Sequence, residues 1–128
     1  MRRVLIIDDD VDAAQSLAMQ VERLGAHSRV AYDGVRGLEI ALEQRPDVVF
    51  LDIAMPFVDG YETCRRLRQQ PNGERATIVA VTGWAKTLRD DGTASRFDVH
   101  LLKPASASSI ERIVLKGGPR RPYVSRIG

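Results

Sequence analysis

The sequence predicts an α/β protein built on an open, doubly wound, five-stranded parallel sheet with helices on both faces. Three observations predict it. Short unbroken apolar runs recur at residues 4–7, 48–51 and 78–81, and 99–102 adds a fourth interrupted only by His100, as expected of strands buried on both sides. Amphipathic stretches with apolar side chains at helical spacing alternate with these runs. Gly or Pro signals close most of the helical stretches.

The elements follow in order. After the first strand, Asp10 or Asp12 can cap a helix whose apolar positions are Val11, Ala14, Leu17, Ala18, Val21 and Leu24, and Gly25 stops it. Residues 28–31 read as the second strand and Asp33-Gly34 as a turn. Leu38, Ala41 and Leu42 mark a second helix that Pro46 terminates. Strand three, 48–51, leads to a helix over 61–69 broken by Pro71-Asn72-Gly73. Strand four, 78–81, precedes a helix over 86–95 that Gly92 weakens. Strand five, 99–102, precedes a last helix capped by Ser106 or Ser108, with Ile110, Ile113 and Val114 inward and Gly117-Gly118 as its stop.

The bulk properties fit this plan. A chain of 128 residues makes one domain. No apolar run approaches the roughly 20 residues that cross a bilayer. Arg2-Arg3 precedes an apolar stretch too short for a signal peptide, and that stretch ends in three aspartates. The single cysteine, Cys64, excludes an internal disulfide, fits a reducing cytoplasm and reads as helix packing. The net charge of +2 divides unevenly: residues 1–60 carry 6 basic and 11 acidic side chains, the remainder 13 basic and 6 acidic. The basic residues are scattered until residues 117–128, a basic Pro/Gly-containing tail or linker with Arg120, Arg121 and Arg126 and no acid. The domain is therefore expected over 1–116, with no nucleic acid partner and no membrane segment.

In open parallel sheets the functional crevice lies beyond the carboxyl ends of the strands. Strand one ends in Asp8, Asp9 and Asp10, strand three in Asp52, strand four in Thr82-Gly83 and strand five in Lys103-Pro104. Converging carboxylates repel one another unless a cation joins them. Asp8, Asp9 and Asp52 offer the all-oxygen donor set that suits Mg²⁺. Lys103 adds fixed positive charge and Thr82 a hydroxyl, as a site for a transferring phosphoryl group requires. A carboxylate can itself be the nucleophile, giving an aspartyl-phosphate. The chain has neither a GxxxxGK[ST] loop nor a GxGxxG turn, so the phosphoryl donor must come from elsewhere.

The stretches "VLIIDDD", "VVFLDIAMPFVDGYE", "VAVTG" and "HLLKP" occur in the order and at nearly the spacing of one family. Over about residues 3–116 the chain resembles the receiver domain of two-component response regulators, chemotaxis-regulator-like, with a flavodoxin-like (βα)5 sheet in the order 2-1-3-4-5. The resemblance implies that Asp52 is the phosphoacceptor. It implies that Asp9 and Asp52 ligate Mg²⁺ (or Mn²⁺) directly, Asp8 mainly through water, and Ala54 through its backbone carbonyl. Thr82 then takes up a phosphoryl oxygen on switching, and Lys103 binds that oxygen. Pro104 corresponds to a cis-bonded proline, while Pro56 and Asp59-Gly60 shape the loop after the acceptor. The implied partner is a histidine kinase or histidine phosphotransfer protein docking beside the first helix.

Departures from the family pattern are also legible. The aromatic switch position, three before Lys103, is His100, a titratable ring. A histidine there without a switching role is the alternative. Trp84 is a second candidate for the displayed aromatic group. Arg96 stands where a turn glycine is common, and the interval from Thr82 to Lys103 is one residue short, which bears on the helix over 86–95. Small Ala54 and Gly83 leave the acceptor open to water and imply a short-lived phosphoryl state. Two competing accounts remain. Asp8 to Asp12 loosely resembles the DxDx[TV] segment of haloacid-dehalogenase-like phosphatases, with Asp8 as nucleophile, though the glycine and threonine that usually follow are missing. A receiver-shaped scaffold that is never phosphorylated is the other. "GYETCRRLR" and the histidine before "LLKP" resemble receivers of hybrid sensor kinases, so a stand-alone receiver and a piece of such a kinase both stay open.

Overall fold

Apolar side chains on both faces of the backbone commit residues 4–7 to the middle of a sheet, and the structure places them there. β1 (Arg3–Ile7) pairs in parallel with β2 (His27–Ala31) on one side and with β3 (Val48–Asp52) on the other. β4 (Thr77–Thr82) and β5 (Val99–Leu102) extend the sheet beyond β3, also in parallel. The structure is a computed structural model and describes residues 2–54, 60–83, 97–116 and 123–125. The helix expected over 86–95, and with it Trp84 and Arg96, lies outside the described residues, as do Pro56 and Asp59.

Side-chain alternation along the strands sends core residues to two faces. Ile40 and Ala41 of α2 (Gly34–Gln44) and Cys64 and Leu67 of α3 (Gly60–Gln69) pack on one face with Leu5, Ile7, Val49 and Leu51. Ala14 and Val21 of α1 (Val11–Arg23) and Ile110, Ile113 and Val114 of α4 (Ala107–Lys116) pack on the other with Val4, Ile6, Val48 and Phe50. The expected order 2-1-3-4-5 is observed. A sixth strand, which the sequence did not reveal, follows β5 in the order β2-β1-β3-β4-β5-β6. It is β6 (Tyr123–Ser125), inside the stretch expected to be a tail or linker, and it pairs in parallel with Val99 to Leu101.

The helix ends carry the expected chemistry with two refinements. The Asp10 carboxylate accepts the Ala13 N–H at 3.2 Å and caps α1, so Asp10 rather than Asp12 is the cap. Ser106 caps α4, accepting the Ser109 N–H at 3.1 Å, so the choice between Ser106 and Ser108 is settled. Asp33-Gly34 is a helix start rather than a free-standing turn: Asp33 accepts the Arg36 N–H at 2.7 Å and Gly34 opens α2.

One close approach dictates a residue type. A Cβ built on Gly60 would lie 2.4 Å from the Ile53 Cα, so the start of α3 can sit on the end of β3 only with glycine there. On the same face of the sheet, the buried Arg68 of α3 donates to the Gly73 and Ala76 carbonyls at 2.9 and 2.8 Å and pairs with Asp98 at 2.8 Å. Asp98 also accepts the Ile78 N–H at 2.8 Å. This network ties α3, the turn after it, β4 and the start of β5 together.

Candidate functional site

The carboxyl ends of β1, β3 and β4 deliver their polar residues to one rim. Asp8 follows β1, Asp52 is the last residue of β3 and Thr82 the last of β4; all three are buried, whereas Asp9 is exposed. One carboxylate oxygen from each of Asp8, Asp9 and Asp52 lies within 4.8 Å of the other two. Backbone amides hold two of these groups in place. Asp10 N–H donates to Asp8 Oδ1 and Ala54 N–H to Asp52 Oδ1, each at 2.9 Å. Ala54, the residue expected to offer its carbonyl, is thereby fixed beside Asp52 with its side chain exposed.

Lys103 follows β5 and reaches across the sheet end. Its Nζ donates to Asp8 Oδ2 at 2.8 Å and to Asp52 Oδ2 at 3.4 Å. The shorter contact to Asp8 was not legible in the sequence, because nothing in the order of residues ranks the two acids. The Lys103–Pro104 peptide bond is cis, as expected. Lys103 N–H donates to the Thr82 carbonyl at 2.7 Å, which closes the rim between β4 and β5.

Charge balance follows from burial and neighbours. Burial pushes the Asp52 carboxyl above its ordinary value; the Ala54 N–H and Lys103 pull it down, but the nearby Asp8 adds to the rise. Burial works against the Lys103 ammonium, yet the Asp8 hydrogen bond and the attraction of Asp52 and Asp8 outweigh it and raise its pKa. The cluster is short of positive charge around Asp52. Hard oxygen donors on a partly open rim, with one exposed acid, suit a divalent cation.

Gly83 is exposed, and a Cβ there would meet nothing within 4 Å, so that side of the rim is open. A cleft of about 380 Å³ runs from Asp8, Asp52 and Lys103 between α1 and α4, walled by Ala13, Leu17, Phe50 and Ala105. His100 is turned inward: it is 3 % exposed, and its ring meets Phe97 edge-on at 5.4 Å. Phe97 in turn meets Tyr61 of α3 at 5.6 Å.

A family model described as the response regulator receiver domain matches residues 4–115. The chain belongs to the response regulator receiver domain family. This receiver domain is 33% identical over 131 residues to the DNA-binding dual master transcriptional regulator RpaA of Synechocystis sp., a match covering 98% of this chain and 54% of RpaA. The chain thus spans about half the length of that relative. Among solved structures it resembles response regulator TrrA of Thermotoga maritima in complex with Mg²⁺-BeF, with a TM-score of 0.80 and 25% identity over 91% of this chain and 98% of that one. It also resembles the receiver domain of sensor histidine kinase PA1611 from Pseudomonas aeruginosa, whose active-site cleft holds a coordinated magnesium ion. There the TM-score is 0.75 and the identity 26%, over 90% of this chain and 95% of that one.

Membership of this family leaves the phosphatase account, with Asp8 as nucleophile, without support. The observed sheet order and the gathered acids are those of a receiver. No helix among the described residues is long and apolar enough to cross a membrane.

Proposed function

We propose that this receiver domain accepts a phosphoryl group on Asp52 from the phosphohistidine of a histidine kinase or phosphotransfer protein. The observation that carries the reading is the convergence of Asp8, Asp9, Asp52 and Lys103 at one rim, with Asp52 clamped by the Ala54 N–H. Asp52 Oδ2 forms the new P–O bond while the P–N bond of the donor breaks and the donor imidazole keeps the electron pair. In this reading the Lys103 ammonium, 3.4 Å from Asp52 Oδ2, neutralises a phosphoryl oxygen, and Thr82 supplies a hydroxyl to the same oxygen when the domain switches. Asp9 and Asp52, Asp8 through water, and the Ala54 carbonyl would hold Mg²⁺ (or Mn²⁺), which supplies countercharge to the carboxylates and the phosphoryl oxygens when bound.

The cleft between α1 and α4 opens onto the acceptor and has apolar walls, with exposed Met19 on α1 beside Ser16 and Gln20 of its lining. A partner helix carrying the phosphohistidine fits that surface. The chain acts as a signalling switch rather than as an enzyme with a released product, in the cytoplasm, where such donors work. Phosphorylation would move Thr82 and the neighbouring His100, whose ring already contacts the Phe97–Tyr61 pair.

Mass spectrometry after exposure to acetyl phosphate with Mg²⁺ tests the reading. One added phosphoryl group is expected, absent from Asp52→Asn. Incorporation that survives in Asp52→Asn but is lost in Asp8→Asn would restore the competing acceptor.

A further inference from the structure

The cleft that opens beside Asp52 is deeper than a helix-docking groove needs to be. Its lining includes Ile6 of β1, Phe50 of β3 and Ile110 of α4, core side chains each no more than 2 % exposed. Above them the walls carry short side chains, Ala13 and Ser16 on α1 and Ala105 just before α4, and about 380 Å³ is left between the helices. A partner helix about 10–12 Å across can lie over the mouth but cannot reach that floor. The volume falls in the range of small-molecule pockets. Water on an apolar floor finds few hydrogen-bond partners, so an apolar body displaces it favourably.

The mouth of the cleft is charged, and the sign of that charge selects the ligand. Asp8, Asp9 and Asp52 gather three carboxylates against the Lys103 ammonium. Lys103 Nζ lies 2.8 Å from Asp8 Oδ2 but 3.4 Å from Asp52 Oδ2, so the Asp52 oxygen is the more weakly held and can accept a further N–H. An anionic head would meet like charges there, and a neutral head would leave the excess uncompensated. A cationic head gains both the attraction and a charge-assisted hydrogen bond. We propose that the cleft is a binding site for a small amphipathic amine, its apolar body against Leu17 and Phe50 and its ammonium donating to Asp52 Oδ2. Such an amine excludes Mg²⁺ from Asp52, because both need the same oxygen. That consequence rests on the magnesium reading above, whereas the binding itself does not.

The test titrates the isotope-labelled 128-residue chain, in chelator, with phenethylamine, phenethyl alcohol and phenylpropanoate while amide shifts are followed. Saturable shifts are expected along α1, at the ends of β1 and β3 and at Ala105. Phenethylamine should bind about tenfold more tightly than the alcohol, and phenylpropanoate more weakly than either. In Asp52→Asn the advantage of the amine should fall several-fold while the affinity for the alcohol holds. Ala105→Phe, or Ser16→Phe from the other wall, fills the cleft and should weaken amine and alcohol alike. Cooperative thermal unfolding checks that each variant is folded. Added Mg²⁺ should raise the apparent dissociation constant of the amine and leave that of the alcohol unchanged. No saturable shift with phenethylamine, equal affinity for amine and alcohol, or indifference to both filled variants overturns the proposal. Amine binding that ignores Mg²⁺ overturns the shared use of Asp52. Phosphoryl incorporation from acetyl phosphate is scored separately. A chain that binds the amine but takes no phosphoryl group refutes the phosphoacceptor reading alone, and a phosphorylated chain that binds no amine refutes this one alone.

Discussion

Asp52 is a buried carboxylate whose pKa burial raises, despite the Ala54 N–H and Lys103. A folded-state value above the unfolded one means that ionising the group costs the folded state stability. Its stabilising share is present below the ordinary value of 3.8 and is lost as pH rises through the raised value. Asp52→Asn should therefore raise the thermal midpoint at neutral pH in the presence of a chelator by a few degrees, and the gain should shrink as pH falls toward 3.8. A lower midpoint at neutral pH would show instead that pairing with Lys103 outweighs desolvation. The two small residues beside the proposed acceptor argue a kinetic point. Ala54 is exposed, and a Cβ on Gly83 would meet open space, so neither screens a phosphoryl group from water. The expected autohydrolysis is fast, and Gly83→Leu should lengthen the phosphoryl half-life several-fold in a radiolabel chase. A wild-type half-life of many hours, or no effect of the leucine, contradicts this.

The helices and strands hold their places through contacts of unequal legibility. Gly60 is required because the start of α3 rests on Ile53, and Gly60→Ala should cost about 1–3 kcal/mol in denaturant unfolding, since the clash is with backbone that must shift. The Arg68–Asp98 network should matter more. Arg68→Ala strips Asp98 of its cation and leaves the Gly73 and Ala76 carbonyls without that donor. A loss of about 2–4 kcal/mol is expected, moderated because Asp98 keeps some solvent. Gly60 could be singled out from the sequence because it ends a turn-like "VDG" after an apolar strand. Arg68 could not, because an arginine on a helix reads as solvated, and its partner is thirty residues away in sequence. Strand and helix positions were readable from apolar runs, their periodicity and the capping residues. β6 was not, because three residues behind two prolines carry no period to detect.

Five parallel strands bring residues from positions 8 to 103 to one rim, and that convergence was readable because the fold rule says where strand ends point. Distances within the rim were not readable, and they decide the electrostatics: Lys103 lies closer to Asp8 than to Asp52 and leaves the negative charge of Asp52 incompletely balanced. A divalent cation should therefore couple to global stability, because the folded state gathers the acids and the unfolded chain does not. Binding to the folded state alone stabilises by about 2.7 kcal/mol at a hundredfold excess over the dissociation constant. Mg²⁺ should raise the wild-type midpoint as its concentration rises, with chelation reversing the gain. Asp52→Asn should respond much less, although it starts from a higher midpoint without metal. The crossing of the two curves is the diagnostic result: one carboxylate that burdens the metal-free fold becomes the group through which the cation supports it. Parallel curves, with Mg²⁺ raising both proteins equally, would place the cation elsewhere on the acidic half of the molecule.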